Sequence, residues 1–369
     1  MALVLADHDD PRRVEVRTWL AAHPDPSAEE LAEAGWVAPH WPRPWGLEAD
    51  QLSALVFHDE LERSGIGLPD NPIGIGWAGP TIIAGGTRAQ QDRYLRPLLS
   101  GAEFWCQLFS EPDAGSDLAS LRTRAVRHGN EYVIDGQKVW STWADRADLG
   151  ILLARTDPDV PKHAGISYFA VPMDTPGITV RPIREMTGEC HFNETFFDGV
   201  RLPADALIGE ENAGWSLARI TLANERVNLT RGGVCWGMGP SADDLFALVR
   251  KQGGVADPLL RQRVAQCWIQ QEILGLLDQR IVAGLVAGRP PGPEGSIKKA
   301  LADDWGQRLM ELASDLTGAG GLLTDQGPLG APVDRWHWGF LFGRALTIGG
   351  GTAQIQRNIL AERILGLPA

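Results

Sequence analysis

The sequence is poor in several things, and each scarcity removes a class of function. Its 369 residues contain no apolar run near the roughly eighteen needed to span a bilayer, and the N-terminal stretch turns charged at Asp7–Asp10 before a signal-peptide core can form. The expectation is a soluble, cytoplasmic protein with no membrane partner. Only four cysteines occur, Cys106, Cys190, Cys235 and Cys267; they lack metal-ligand spacing and read as small core residues rather than a disulfide framework. The eight histidines make no HExxH or His/Cys cluster, so no metal site is expected. Positive charge is short as well: 34 Lys and Arg against 47 Asp and Glu leave a net charge of −13, which argues against a nucleic-acid surface but permits one local basic pocket for a phosphorylated ligand. There is no Walker loop and no G-x-S-x-G elbow. The run Gly318-Ala319-Gly320-Gly321 follows a helical pattern rather than a strand, so it reads as a helix C-terminal turn and not a dinucleotide fingerprint. Tyrosine is rare, at three against fourteen tryptophans, which makes large flat side chains available for a core or for the wall of an aromatic ligand site.

What is present falls into three parts, 1–103, 104–212 and 213–369. The first reads as short helices at Arg12–Ala22, Ser27–Ala34 (opened by a Ser-Ala-Glu-Glu start like a capping box), Ala49–Ser64 and Arg88–Leu99, with Pro39–Gly46 and Gly67–Gly79 as loops. The second holds short runs rich in β-branched and aromatic residues: Phe104–Phe109, Ser120–His128, Tyr132–Ile134, Lys138–Thr142, Leu149–Thr156, Ile166–Val171, Ile178–Pro182 and Glu194–Phe197. Turn signals such as His-Gly-Asn, Asp-Gly-Gln and Met-Asp-Thr-Pro-Gly separate them, and short strands at this spacing make a small β-barrel or sandwich. Helical periodicity returns near Gly214 and persists; one later helix is predicted to start after Ser296 as N-cap, beyond a Gly/Pro linker at Gly288–Gly295. The predicted architecture is mainly α with a central β domain: an N-terminal helical domain, a small β-barrel and a C-terminal helical bundle.

One residue of the third part is on the wrong side of its helix. Trp215, Ala218, Leu222, Glu225 and Leu229 recur at steps of three and four, the core-facing stripe of an amphipathic helix, and the fourth is a carboxylate. Desolvation favours the neutral acid, so Glu225 is either a hydrogen-bonded structural acid or a poised proton acceptor. Two other stretches can meet a ligand. Phe104–Asp117 puts a strand before a Pro/Gly turn carrying Ser110, Ser116 and exposed backbone N–H groups, and Ile348–Leu360 puts three consecutive glycines before a helix that Thr352 can cap. Each alone is compatible with a plain turn. Together, on either side of a β domain carrying Trp140 and Trp143, they point to a shared cofactor.

These residues resemble the acyl-CoA dehydrogenase family over essentially the whole chain. Phe109-Ser110-Glu111-Pro112-Asp113-Ala114-Gly115-Ser116-Asp117 looks like its first signature, Asp135-Gly136-Gln137-Lys138-Val139-Trp140-Ser141-Thr142 like its flavin-facing strand, and Gly351-Thr352-Ala353-Gln354-Ile355-Gln356-Arg357 like its C-terminal signature. The resemblance implies FAD as cofactor, with Phe109 and Ser110 at the flavin pyrimidine edge, Trp140 stacked on the ring system, Thr142 near N5, and Thr352, Gln354 and Arg250 on the rest of the molecule. It implies an acyl-CoA substrate touched by Ser116 and Arg226, α,β-dehydrogenation to the enoyl-CoA, and the backbone N–H of Gly350 on the thioester oxygen. It also implies an electron-transfer flavoprotein as acceptor, a role in fatty acid or sterol side-chain degradation, and a homo- or heterotetramer.

The chain departs from the commonest family pattern in ways that bear on function. Most members carry the catalytic Glu immediately before the C-terminal Gly-Thr, where this chain has Gly350; a minority place it in a Glu-Arg pair on the first helix of the C-terminal bundle, which Glu225-Arg226 matches. The resemblance therefore implies Glu225 as the base. Ala223 stands where many members have an Asp that reaches the pantetheine, and Asp315 and Gly318-Ala319 only partly match the residues that hold the adenosine end of FAD. The alternatives are a catalytically silent subunit that completes another chain's FAD site, and an acyl-CoA oxidase.

Overall fold

The structure, a computed structural model, describes residues 6–231, 236, 238–287, 292–319 and 335–368. Contacts divide it into two units, Ala2–Asn224 and Glu225–Ala369, with the boundary inside one helix.

The first unit begins with helices whose ends are written in the sequence. Asp10 caps α1 (Pro11–Ala22), and Ser27 with Glu30 closes a two-way capping box on α2 (Ala28–Glu33), with hydrogen bonds of 2.8 and 3.2 Å. Asp50 caps α3 (Gln51–Arg63). Arg13, fully buried, ties α1 to α3 by ion pairs to Asp59 at 2.5 Å and Glu60 at 2.8 Å. The stretch read as a loop at Gly67–Gly79 instead carries a π-helical turn, Gly74–Ala78, that runs straight into α4 (Gly79–Gly85). Its glycines and proline read as breakers, yet the helical path continues through them: the π-helical turn precedes Pro80, which has no N–H to donate to it, and Gly79 is required because a Cβ there would lie 2.1 Å from Trp41 Cη2. After α5 (Arg88–Ser100), the fully buried Asn71 joins helices to sheet: its amide donates to the carbonyls of Leu98 and Glu103, and its oxygen accepts from the N–H groups of Gly74 and Trp105.

The sheet contains β1 (Trp105–Leu108), β2 (Arg124–His128), β3 (Glu131–Thr142), β4 (Leu149–Arg155), β5 (Ile166–Pro172), β6 (Ile178–Ile183), β7 (Phe192–Pro203) and β8 (Leu207–Ile208). Its order is β6-β7-β3-β2-β4-β5-β8, with β1 parallel to β4. Alternate residues of six strands converge on one core that includes Tyr132, Ile134, Leu152, Phe169, Phe197 and Val200. The Asp-Gly-Gln signal is not a turn. Tyr132–Ile134 and Lys138–Thr142 belong to one strand, and Gly136, at φ +152°, absorbs a register shift where a Cβ would run into Thr123 at 2.5 Å.

Helix α6 (Gly214–Arg231) crosses the unit boundary. Its buried positions among the described side chains are Gly214, Leu217, Ala218, Thr221 and Glu225; of the expected stripe Ala218 and Glu225 are buried, Trp215 and Leu222 are only half-buried, and the side chain of Leu229 is outside the described residues. The second unit continues with α7 (Ala242–Lys251), α8 (Pro258–Val286), α9 (Glu294–Thr317), α10 (Arg335–Phe342) and α11 (Ala353–Ile359), with α9 packed on the other four. Leu309, Met310, Leu312 and Ala313 form its buried stripe. The helix begins at Glu294, so Ser296 lies buried in the first turn rather than capping it. Gly318 ends it in the expected C-terminal turn at φ +57°, while Gly320 and Gly321, like Gly288–Pro291 of the linker, lie outside the described residues. Cys106 and Cys267 are buried as expected; Cys190 is exposed instead, on the β6–β7 turn, and Cys235 lies outside the described residues. Among the described residues no helix is long and apolar enough to cross a membrane, and no group of His, Cys, Asp and Glu could hold a metal ion.

Candidate functional site

In the first unit the site is built on one irregularity of β3. Lys138 pairs with Thr195 and Ser141 with Asn193, so three steps on β3 oppose two on β7 and one residue is extra. The bulge places Trp140 in the left-handed region at φ +62°, a conformation a bulky side chain rarely accepts, and turns its indole outward until it is 59% exposed. Phe192 braces the ring edge-on at 6.0 Å. Trp143, at φ +54°, follows in the turn after the strand, with the Arg146 guanidinium 4.3 Å above its ring. A flat apolar surface held outward by strained backbone fits the face of a planar aromatic ligand. Thr142 ends β3 half-buried, and Ser116 is exposed on the loop beyond β1.

Phe109 and Ser110 follow β1 and are tied to β3 from two directions. The N–H of Val139 donates to the Ser110 carbonyl at 2.9 Å. The Lys138 ammonium, fully buried, donates to the Phe109 carbonyl at 2.9 Å and to Glu111 Oε1 at 2.8 Å. Glu111 in turn accepts from the N–H groups of Arg122 at 2.6 Å and Thr123 at 2.8 Å, so the whole loop closes on one carboxylate. Burial alone would raise the Glu111 carboxyl, but the neighbouring ammonium and these donors prevail and hold it below the usual range. Burial brings Lys138 down to about 8 against the opposing pull of Glu111. The Phe109–Ser110 bond is trans, so with the Phe109 C=O turned to the buried ammonium the Ser110 N–H points the other way, and it donates to no described residue.

In the second unit the glycine run makes a left-handed turn, with Gly350 at φ +64° and Gly351 at φ +87°. Gln356, fully buried, reaches back from α11 and donates to the carbonyls of both, at 3.1 Å each. A Cβ on Gly349 would lie 2.7 Å from the Trp236 ring, so the turn can approach that indole only without side chains. The Thr352 hydroxyl caps α11 by accepting from the Ile355 N–H at 3.2 Å, and Gln354 faces solvent. From α9, Lys299 donates to the Leu346 carbonyl at 3.1 Å and pairs with the buried Asp303, whose carboxyl burial raises to about 6 although Lys299 pulls it down.

The structure thus brings Phe109, Ser110, Trp140 and Thr142 onto neighbouring segments of the first unit, and Gly350, Thr352 and Gln354 onto one turn of the second. Ser116 stands apart on its loop, and Arg250 is exposed in the last turn of α7. Glu225 is 8% exposed on α6; the side chain of Arg226 falls outside the described residues. Reasoning from sequence assigned no role to Lys138, Glu111 or Gln356. The first two sit inside motifs quoted for other residues, and only the register of β3 reveals that they meet.

Residues 4–102, 106–200 and 212–365 match the N-terminal, middle and C-terminal domains described as acyl-CoA dehydrogenase. The acyl-CoA dehydrogenase FadE34 of Mycobacterium tuberculosis is 43% identical over 92% of this chain, although the chain spans only 45% of that protein's length. The acyl-CoA dehydrogenase IpdE1 of the same organism is 39% identical over 92% of this chain and 87% of its own. Among solved structures, a Tcur3481-Tcur3483 steroid ACAD superposes with a TM-score of 0.80 at 29% identity, covering 98% of this chain and 100% of that one. The ChsE4-ChsE5 complex from Mycobacterium tuberculosis gives 0.79 at 29% identity, with full coverage of both chains.

Proposed function

The chain belongs to the acyl-CoA dehydrogenase family of FAD-dependent oxidoreductases, and from that premise we propose that it oxidises an acyl-CoA thioester to the trans-2-enoyl-CoA. The observation that carries this reading is the carboxylate of Glu225, buried on α6 in a chain whose other candidate position for a base is Gly350. Glu225 takes the α-proton, the β-hydrogen leaves with its electron pair, and the Cα–Cβ double bond forms. Bound FAD supplies the hydride acceptor. An unactivated α-carbon is a very weak acid, so negative charge on the thioester oxygen has to be met by a donor, here the Gly350 N–H. Phe109, Ser110, Trp140 and Thr142 hold the flavin ring, Thr352, Gln354 and Arg250 the rest of the cofactor, and Ser116 and Arg226 the CoA ester. The likeness to a steroid ACAD favours a bulky acyl chain, and an electron-transfer flavoprotein is the proposed acceptor. Anaerobic mixing of the FAD-loaded chain with a panel of linear, branched and sterol-derived acyl-CoAs tests this. At least one member should bleach the flavin absorbance, and purified chain that takes up no FAD at saturating concentration would instead favour the silent-subunit reading.

The surface of α8 supports an assembly. Leu259, Ile269, Ile273 and Leu276 are exposed along one helix face, and Trp268 is exposed beside it. We propose that a second acyl-CoA dehydrogenase chain, identical or homologous, covers this face. Light scattering should report an oligomer for the wild type or its co-expressed complex, and a smaller mass once Ile273→Asp and Leu276→Asp are combined. An unchanged mass would place the interface elsewhere.

A further inference from the structure

The buried charge at Lys138 has no part in the chemistry above, and its surroundings ask for a reason. The ammonium is fully buried and, among the described residues, its carboxylate partner is Glu111. Burying such a pair is weak support for a fold, since apolar replacements of similar volume are often as stable or more so. What this pair holds is specific: one end grips the carbonyl of Phe109, and the other gathers the Arg122 and Thr123 amides, so the peptide between Phe109 and Ser110 is fixed in one orientation. With the carbonyl held inward, the Ser110 N–H is aimed outward, on the loop that Val139 joins to the strand bearing Trp140.

We propose that Lys138 is a positioning residue for the cofactor: acting through the Phe109–Ser110 peptide, it aims the Ser110 N–H at the pyrimidine edge of the flavin and sets a fixed positive charge behind it. This rests on the reading that Phe109 and Ser110 face the flavin. Negative charge collects at that edge when a flavin is reduced, so a polarised N–H backed by an ammonium in a water-excluded interior stabilises the reduced form over the oxidised one. Glu111 keeps the ammonium charged: without it, burial would favour the neutral amine. Among the described residues the Ser141 hydroxyl and the Asn193 amide oxygen, on the paired strands β3 and β7, are buried without a hydrogen-bond partner.

The test uses the full chain and two variants. In Lys138→Met with Glu111→Gln the pair becomes a neutral one of similar volume; in Lys138→Gln a donor remains but the charge does not. Three quantities are read: melting of the FAD-free chain, the FAD dissociation constant by flavin fluorescence, and the midpoint potential of the bound flavin by dye titration. The double variant should bind FAD roughly ten- to a hundredfold more weakly, the range expected for a lost charge-assisted donor, with a more negative midpoint potential at near wild-type melting. Lys138→Gln should show the shift in potential with a smaller loss of affinity. A folded variant with wild-type affinity and potential overturns the proposal. So does failure of both variants to fold, which would assign the pair to the fold alone. If wild type takes up no FAD, it is the assignment of Phe109 and Ser110 to the flavin that fails.

Discussion

Replacing Glu225 with Gln is expected to slow reduction of the bound flavin by an acyl-CoA about 10² to 10⁴-fold, the usual contribution of a general base, while FAD uptake and melting stay close to wild type. The substitution keeps the shape of the side chain and removes its negative charge and its ability to accept a proton. The argument is one of elimination joined to placement. A dehydrogenation across Cα and Cβ needs a base, glycine at 350 supplies none, and among the buried residues of α6 Glu225 is the only acid. Stopped-flow absorbance under anaerobic conditions separates the outcomes: equal bleaching by both proteins would remove Glu225 from the chemistry. Gly350→Glu in the Glu225→Gln background asks the complementary question. The φ of +64° at Gly350 strains any side chain there, so weak or absent recovery is expected and would not count against Glu225.

How much of this was legible in the sequence depends on the range of the interactions involved. Caps are local: Ser27 with Glu30 was readable because both partners lie within one turn. The order of helices, sheet and helices was readable from periodicity alone. Helix α4 was not, because Gly79 and Pro80 carry breaker signals whose real cause, contact with Trp41, lies far away in sequence. Nor was the continuity of β3, because Gly136 sits at a register shift between β3 and β7 and lies close against Thr123 instead of making a turn. On α6 the carboxylate and Ala218 were picked out correctly as buried, while Trp215 and Leu222 were not. Apolar bulk at Trp215 and Leu222 drew the stripe toward them, and the structure gives those buried places to Leu217 and Thr221. Thr221 is accommodated because its hydroxyl meets Thr81 at 2.8 Å and Tyr168 at 3.1 Å, partners no local pattern announces.

Lys138 and Glu111 are the plainest case of a long-range determinant, and they carry the largest expected effect on stability. Lys138→Met alone takes the ammonium from a buried carboxylate that keeps the Arg122 and Thr123 amides as donors, and is expected to cost about 3 to 5 kcal/mol, the range for breaking a buried pair. Glu111→Gln alone leaves the ammonium uncompensated and frees the loop at Arg122 and Thr123, for a comparable loss. The double variant should recover most of it, so that in a double-mutant cycle read by urea denaturation its loss is far smaller than the sum of the two single losses. Additive losses would mean that the two groups act independently, whatever their separation. The same pair fixes the sign of a pH effect. The folded-state pKa of Glu111 is held below its unfolded value, so its stabilisation is fully present above the unfolded value of about 4.3 and is lost as pH falls toward and through the folded one. Wild type should therefore lose stability below about pH 4 faster than the double variant, which has no proton to gain at this position. Parallel acid limbs for the two proteins would show that Glu111 titrates alike in the folded and unfolded chain.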